Sequence, residues 1–224
     1  MGSVPSSVMT SPARPPRRMT PEARRAQLVS AALDLYGARS PEEVAVEDVT
    51  RAADVSRALF YRYFSGMEEL HVAALGSVAE ELIDRVALPA DGPLDSQLAD
   101  ALDVFLDVVG RHSRAYVALL RSGSVVSTGE TDAMVDGVRD HIVDLLCVRG
   151  GVPDPTPLQL MTLRGWVALV EGSVLVWLEA GRVPARAELR DWLVEQLFAM
   201  LGVTVARDPD AQFSTTPSAL GTSR

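Results

Sequence analysis

Lysine is absent from this 224-residue chain; all 21 basic residues are arginine, a bias of coding more than a recognition device. Cysteine occurs once, at Cys147, so no disulfide forms within one chain and the usage suits a reducing cytosol. The three histidines, His71, His112 and His141, are scattered. No H-E-x-x-H, C-x-x-C, G-x-S-x-G or Gly-rich phosphate loop accompanies them, so neither catalysis, a metal nor a cofactor is expected. Cys147 and His141 are six residues apart on one expected helix, about 240° around its axis and on different faces. Cys147 is expected as a buried structural thiol. The start of the chain holds Ser, Pro and Arg where a secretory signal needs an apolar run. The most apolar window, Trp166 to Ala180, contains Glu171 and falls short of the ~20 residues a membrane span needs. No membrane partner and a cytoplasmic location are therefore expected. Alternating apolar and polar runs of strand type are missing, as are internal repeats.

Apolar residues make up 47% of the chain, enough for a sizeable buried core. The net charge of −9 alone argues against nucleic-acid binding, but its distribution does not. Residues 1–64 hold nine Arg against seven acidic residues, whereas residues 65–224 hold twelve Arg against 23 acids. A basic head on an acidic body directs polyanions to one end.

Helical spacing of apolar residues predicts an all-α fold. Residues 1–18, rich in Pro, Ser and Thr with Arg14, Arg17 and Arg18, read as a disordered basic arm able to track a minor groove. Thr20 caps a first helix, Pro21 to Ala38. Val46 to Ala53 and Arg57 to Phe64 form two short helices about a Val55-Ser56 turn, and Met67 to Leu88 a longer fourth. After the Pro89 to Pro93 breaker come helices over Leu94–Gly110, His112–Ser122, Glu130–Val148, Leu158–Gly181 and Arg186–Leu201, with a polar loop at 123–129. The expected organisation is an arm at 1–18, a helix-turn-helix DNA-binding domain at 19–66, a helical effector-binding and dimerisation domain at 67–202, and a disordered tail at 203–224.

The stretch VEDVTRAADVSRALFYRYF, Val46 to Phe64, carries the chemistry. A helix-turn-helix braces one helix on the backbone and sends the next into the major groove. At 100° per residue Phe60 and Phe64 share the inward face, against Val49 and Val55. Ala58 and Arg62 share the opposite face, flanked by Leu59. Arg62 can fork onto a guanine edge, and Arg57 is placed for a base or a phosphate. Tyr61 and Tyr63 suit phosphates. Four aromatics within five residues cannot all face one core, which argues against an ordinary helical hairpin.

Over Arg24 to Leu75 the chain resembles the N-terminal domain of tetracycline-repressor-like (TetR) transcriptional regulators, through V-x-D-V, V-S-R, F-Y-R-Y-F and E-E-L behind an apolar first helix. The resemblance implies an all-helical homodimer that binds a palindromic DNA operator, usually as a repressor, and is released by a small-molecule effector. It places the DNA contacts at Arg57, Ala58, Leu59, Tyr61, Arg62 and Tyr63. Four positions depart from the family pattern. Ala45 replaces a capping, phosphate-touching Ser or Thr; Asp54 replaces a turn Gly; Tyr63 replaces a His; and Met67 replaces a phosphate-binding Lys.

In the body, Leu158 to Gly181 is apolar around more than half its circumference and must be buried on several sides. Gly165, Ala168 and Gly172 form a small-residue seam. Together with Leu189, Trp192, Leu193 and Leu197 of the final helix they suggest a four-helix interface across a two-fold axis. Arg164 and Glu171, seven apart, are expected on one face, paired across that seam or lining a ligand site. Phe105, Tyr116, Met134, His141, Cys147 and Trp166 are candidate contacts for a largely apolar effector. The competing readings are an effector-binding helical protein with weak or lost DNA binding, for which Ala45 and Met67 speak, and an enzyme on a helical scaffold.

Overall fold

Three of the helices begin where a Thr or Ser side chain supplies an acceptor for their first free N–H groups. A computed structural model describes residues 19–86, 92–120 and 129–213. The expected arm at 1–18 and most of the expected loop at 123–129 lie outside the described residues. Thr20 Oγ1 accepts from Ala23 N at 3.2 Å and starts α1, Pro21–Tyr36. A 3-10 turn, Pro41–Glu43, leads to α2, Val46–Ala52. Ser56 Oγ accepts from Leu59 N at 3.2 Å and starts α3, Arg57–Tyr63. There follow α4, Met67–Arg85; α5, Leu94–Arg111; α6, Ser113–Leu120; α7, Gly129–Arg149; α8, Pro157–Glu179; and α9, Arg186–Arg207. Thr156 and Gln159 close a reciprocal cap on α8, with Thr156 N donating to Gln159 Oε1 at 2.8 Å. Among the described residues there is no strand, and the fold is all-α.

The helices bury two cores. One gathers Leu28, Val29, Ala32 and Tyr36 of α1, Val46 and Val49 of α2, Phe60 of α3, Phe64, and Leu70, Ala74 and Leu75 of α4. Ala115 and Ala118 of α6 join it, so a helix from beyond the Pro89 to Pro93 breaker packs on the head. The second core holds Leu98, Leu102 and Leu106 of α5, Val143 and Leu146 of α7, Leu163, Trp166, Val170 and Val174 of α8, and Leu189, Leu193, Leu197 and Leu201 of α9. Helix α4 serves both: its first turns bury in the head, while Leu82 and the following Val86 pack in the body. The head and body therefore share a rigid element where the sequence places a boundary.

By length and composition all 23 residues of α8 would suffice to cross a membrane, although the shorter window read from the sequence would not. Its burial has another cause: it is the central helix of the body, and Trp166 Nε1 donates to Leu193 O of α9 at 2.9 Å.

The C-terminal tail expected from 203 is corrected at its start. Helix α9 continues to Arg207, with Thr204 buried and bonded to Thr162 at 2.6 Å. Residues 208–213 then fold back over the start of α8. Thr156 Oγ1 donates to Asp208 at 2.7 Å, Gln159 Nε2 donates to Gln212 O at 3.0 Å, and Ala211 is fully buried. A Cβ on Gly150 would run into the Phe213 ring, which is why a glycine ends α7 there.

One polar pair is sealed inside the head. The Tyr36 hydroxyl lies 2.6 Å from His71 Nδ1, joining α1 to α4, and the two rings stack. Burial pushes the tyrosine's ionisation upward, so the hydroxyl donates and a neutral His71 accepts. Burial also lowers the His71 pKa below its ordinary 6.5, against the upward pull of Glu42 and Glu68; His112 is lowered for the same first reason. Below pH 6.5 the unfolded chain thus binds protons that the folded chain refuses, and stability falls with pH. The urea midpoint is expected to drop between pH 7 and pH 5, and His71→Gln should flatten that slope. An unchanged slope in the variant would refute His71 as its source.

Candidate DNA interface and effector cavity

Helices α2 and α3 are fixed by their turn. Ala53 N and Val55 N bond to Val49 O and Thr50 O at 2.9 Å each, and Gln27 of α1 donates to Ala53 O at 2.9 Å. Between them Asp54 adopts φ 51°, the left-handed conformation that glycine takes without cost. Asp54→Gly should raise unfolding stability by up to about 1 kcal/mol, read from denaturant curves; a loss would show that the Asp54 side chain holds the turn.

At the start of α2, Ala45 supplies no capping side chain, and its N–H donates to Asp48 at 3.2 Å. That bond, then Arg39 at 3.2 Å, holds the Asp48 carboxyl below its usual range. The Arg51 side chain, 78% exposed, pairs loosely with the same carboxylate and stands free to meet a phosphate.

Phe60 and Phe64 are only 0% and 1% exposed, and Val49 closes on them, as the helical phase predicts. Arg25 of α1 covers the Phe64 ring at 4.7 Å. The outward face of α3 shows Arg57, Ala58, Tyr61 and Arg62 to solvent, with Tyr61 50% exposed. Leu59 is half-buried, and Tyr63 is half-buried against the head core. Arg57 reaches back to Glu47 at 2.8 Å, an exposed pair that a phosphate can replace, while Arg62 makes no ion pair among the described residues.

In the body a cavity of about 90 Å³ lies between α4, α5, α7 and α8. Leu82, Leu102, Phe105, Ile142 and Trp166 represent its apolar wall; its polar end is Arg139 and Glu171. Arg139 Nε and Nη2 hold Glu171 at 2.9 and 2.7 Å, and Nη1 holds Asp136 at 2.9 Å. Glu171 chiefly, with Asp136 adding, raises the Arg139 pKa, so the guanidinium stays charged.

Of the six expected effector contacts, Phe105 and Trp166 line this cavity. Tyr116 packs edge-on behind Phe105 at 6.0 Å. The other three do not line this cavity. Helix α7 turns Val138, Arg139, Ile142, Leu145 and Leu146 to the cavity, which rotates His141 off that face. Met134 lies a turn earlier, over Gly76 of α4. Cys147 is buried in the body core, where burial, and Asp144 next, push its thiol pKa up. Arg164 does not meet Glu171; it pairs with Asp140 at 2.7 Å. Arg139 was not singled out from sequence, although Asp136 and Arg139 at i, i+3 and a lone Glu171 in an apolar helix are the signals that mark it.

On the opposite side of α8 runs an open groove lined by Gly165, Ala168, Gly172 and Val176, with Leu189, Trp192 and Glu195 of α9. A Cβ at Gly172 would meet nothing within 4 Å, and at Gly165 only Met200 at 3.7 Å. Nothing within one chain therefore demands small residues here. Met161 and Val176 are 68% and 66% exposed, and Trp192 and Val203 also face solvent. Leu193 and Leu197 are corrected: both are 0% exposed in the chain's own core, and Leu189, at 5%, only borders the groove. The outward row of α9 is Glu188, Trp192, Glu195, Ala199 and Val203.

An all-α chain with an exposed reading helix, a body cavity and an apolar seam defines a helix-turn-helix transcriptional regulator. Residues 28–74 match the bacterial regulatory proteins of the tetR family, and residues 94–200 the tetracyclin repressor-like C-terminal domain. The chain is 37% identical to a TetR-family transcriptional regulator from Streptomyces coelicolor, whose crystal structure agrees with a TM-score of 0.82 over 86% of each chain. It is 24% identical over 170 residues to the HTH-type transcriptional activator FasR of Mycolicibacterium smegmatis, covering 74% of this chain and 77% of that one. FadR from Bacillus subtilis, solved in complex with stearoyl-CoA, shares the fold: 14% identity, TM-score 0.63, 77% of this chain and 96% of that one. The chain belongs to the TetR family of transcriptional regulators.

Proposed function

We propose that this regulator acts as a homodimeric repressor of a palindromic operator, and that a small, largely apolar molecule entering the body cavity releases it. The observation that carries this reading is α3, which buries Phe60 and sets Arg57, Ala58, Tyr61 and Arg62 outward, the surface a major groove requires. The apolar groove along α8 and α9 fits a second copy of the chain and would bring two such helices to one duplex. Helix α4 supplies the coupling. Leu70, Ala74 and Leu75 anchor it in the head, and Leu82 and Val86 wall the cavity, so a ligand too large for 90 Å³ displaces α4 and the head with it. A fold relative solved with stearoyl-CoA supports small-molecule control.

A second reading, activation, is favoured by the name of the FasR relative. In vitro transcription from the DNA upstream of the gene separates the two. Less transcript on adding the protein supports repression, more supports activation, and no effect with no gel shift sinks both.

The missing phosphate ligands at Ala45 and Met67 predict a shallow dependence of operator affinity on salt, with Arg51 or the N-terminal arm compensating in part. A slope of log K against log salt that corresponds to about ten or more phosphates per dimer would contradict this.

A further inference from the structure

We propose that the groove between α1 and α4 is a docking site for the chain's own N-terminal arm, residues 1–18, and that groove and operator compete for the arm's arginines. The docking is independent of the repressor reading; only its consequence for operator affinity rests on it. The groove follows α4 from Ser65 to Glu80, about 22 Å at the α-helical rise, with α1 from Glu22 to Leu33 as its other wall. Met134, near the start of α7, closes over Gly76. Val29, Leu33, Val72 and Met134 make an apolar floor, while the rim is acidic. Glu22, Glu68, Glu69, Glu80 and Glu130 are all exposed there, against Arg25 alone. Glu69 is held by Ser65 N at 2.8 Å, and Arg25 lies over the Phe64 ring. Glu22, Glu68, Glu80 and Glu130 make no ion pair among the described residues. A cleft lined by one sign of charge draws the opposite sign into it.

The arm joins the chain at the mouth of this groove, since Glu22 lies four residues beyond Arg18. It carries Arg14, Arg17 and Arg18 and no acidic residue. Pro12, Pro15 and Pro16 favour the polyproline form, which rises about 3.1 Å per residue, so Arg14 would stand roughly 22 Å from Pro21. That span equals the groove. Arg17 and Arg18 would then meet Glu68 and Glu69, and Arg14 would meet Glu80 and Glu130. Proline also reduces the chain freedom that docking must freeze. Tethering holds the arm at an effective concentration on the order of millimolar, so exposed ion pairs that are weak singly suffice together. Glu80 precedes Leu82 of the cavity wall, and Glu130 and Met134 share α7 with Arg139. A shift of α4 against α7 therefore changes the groove together with the cavity.

Limited trypsin digestion of the full chain without DNA tests the docking. Cleavage after Arg17 and Arg18 reports how often the arm is free, because cutting tracks the population of the open form. The combined variant Glu68→Gln, Glu80→Gln and Glu130→Gln should be cut there about 5- to 30-fold faster at low salt. Arg14→Gln, which touches neither scissile bond, should be cut about 2- to 5-fold faster. A control with the same change of charge at exposed positions outside the groove, Asp84→Asn, Asp100→Asn and Asp154→Asn, should stay within about twofold of the wild type. Wild-type cleavage as fast as that of the groove variant, or an equal rise in the control, overturns the proposal. Freed arginines should also raise the operator affinity of the groove variant by about 3- to 10-fold over the control. Faster cleavage with operator affinity unchanged overturns the competition. Faster cleavage with no DNA bound by any of these proteins upholds the docking and removes the regulator reading instead.

Discussion

Replacing Arg62 by Ala is expected to lower operator affinity by about 30-fold to about 10⁴-fold. A bidentate arginine on a guanine discriminates by ~1–3 kcal/mol, and a dimer reads two half-sites. The side chain is exposed on α3, opposite the buried Phe60, so the head should fold normally and the unfolding temperature should stay put. Fluorescence anisotropy with labelled duplex at fixed salt measures the loss. Tyr61→Phe serves as the contrast: loss of a phosphate contact weakens all duplexes alike, whereas Arg62→Ala should also relax the preference for the operator over random DNA. A change below about threefold in Arg62→Ala would remove this residue from the reading surface.

The second large effect is expected at the α8 groove. Gly172→Glu places a carboxylate at the centre of the seam, and in a two-fold dimer it meets its own copy or that copy's apolar wall. Within one chain the change is harmless, because a Cβ there points into open space and Glu favours helix over Gly. A folded monomer should result, seen by sedimentation, with a dimer dissociation constant raised at least about a hundredfold. Operator binding should fall with it, since one head alone engages one half-site. A variant that remains dimeric would move the interface elsewhere, and a monomer that binds DNA as tightly as the wild type would break the two-half-site scheme.

The helices themselves could be read from local signals: Thr20-Pro21, Ser56 and Thr156-Pro157 cap their helices as their chemistry dictates. The inward phase of Phe60 and Phe64 follows from 100° per residue, and the left-handed Asp54 from the turn it must make. What the sequence obscures is which apolar stripe faces what. Helix α9 carries two, and the leucine row that stands out by residue type, Leu189, Leu193 and Leu197, turns into the chain's own core. The row around Trp192 and Val203 faces out. The same ambiguity hides that Met134, His141 and Cys147 lie off the body cavity: a one-residue step rotates a side chain by about 100°, and only packing against α4 and α8 sets the phase of α7. The Arg139–Glu171 pair joins residues 32 apart on different helices, beyond the reach of local periodicity. The end of α9 was misread because the residues that hold it, Thr162 and Thr156, lie 42 and 52 positions away.

Hydroxyl-radical footprinting on the DNA upstream of the gene tests the central claim most directly. Two protected patches on one face of the duplex, centred about 34–36 Å apart or a multiple of that, are predicted, both lost in Arg62→Ala and in Gly172→Glu. A single patch, or no protection at low salt by a protein that sediments as a folded dimer, would contradict it.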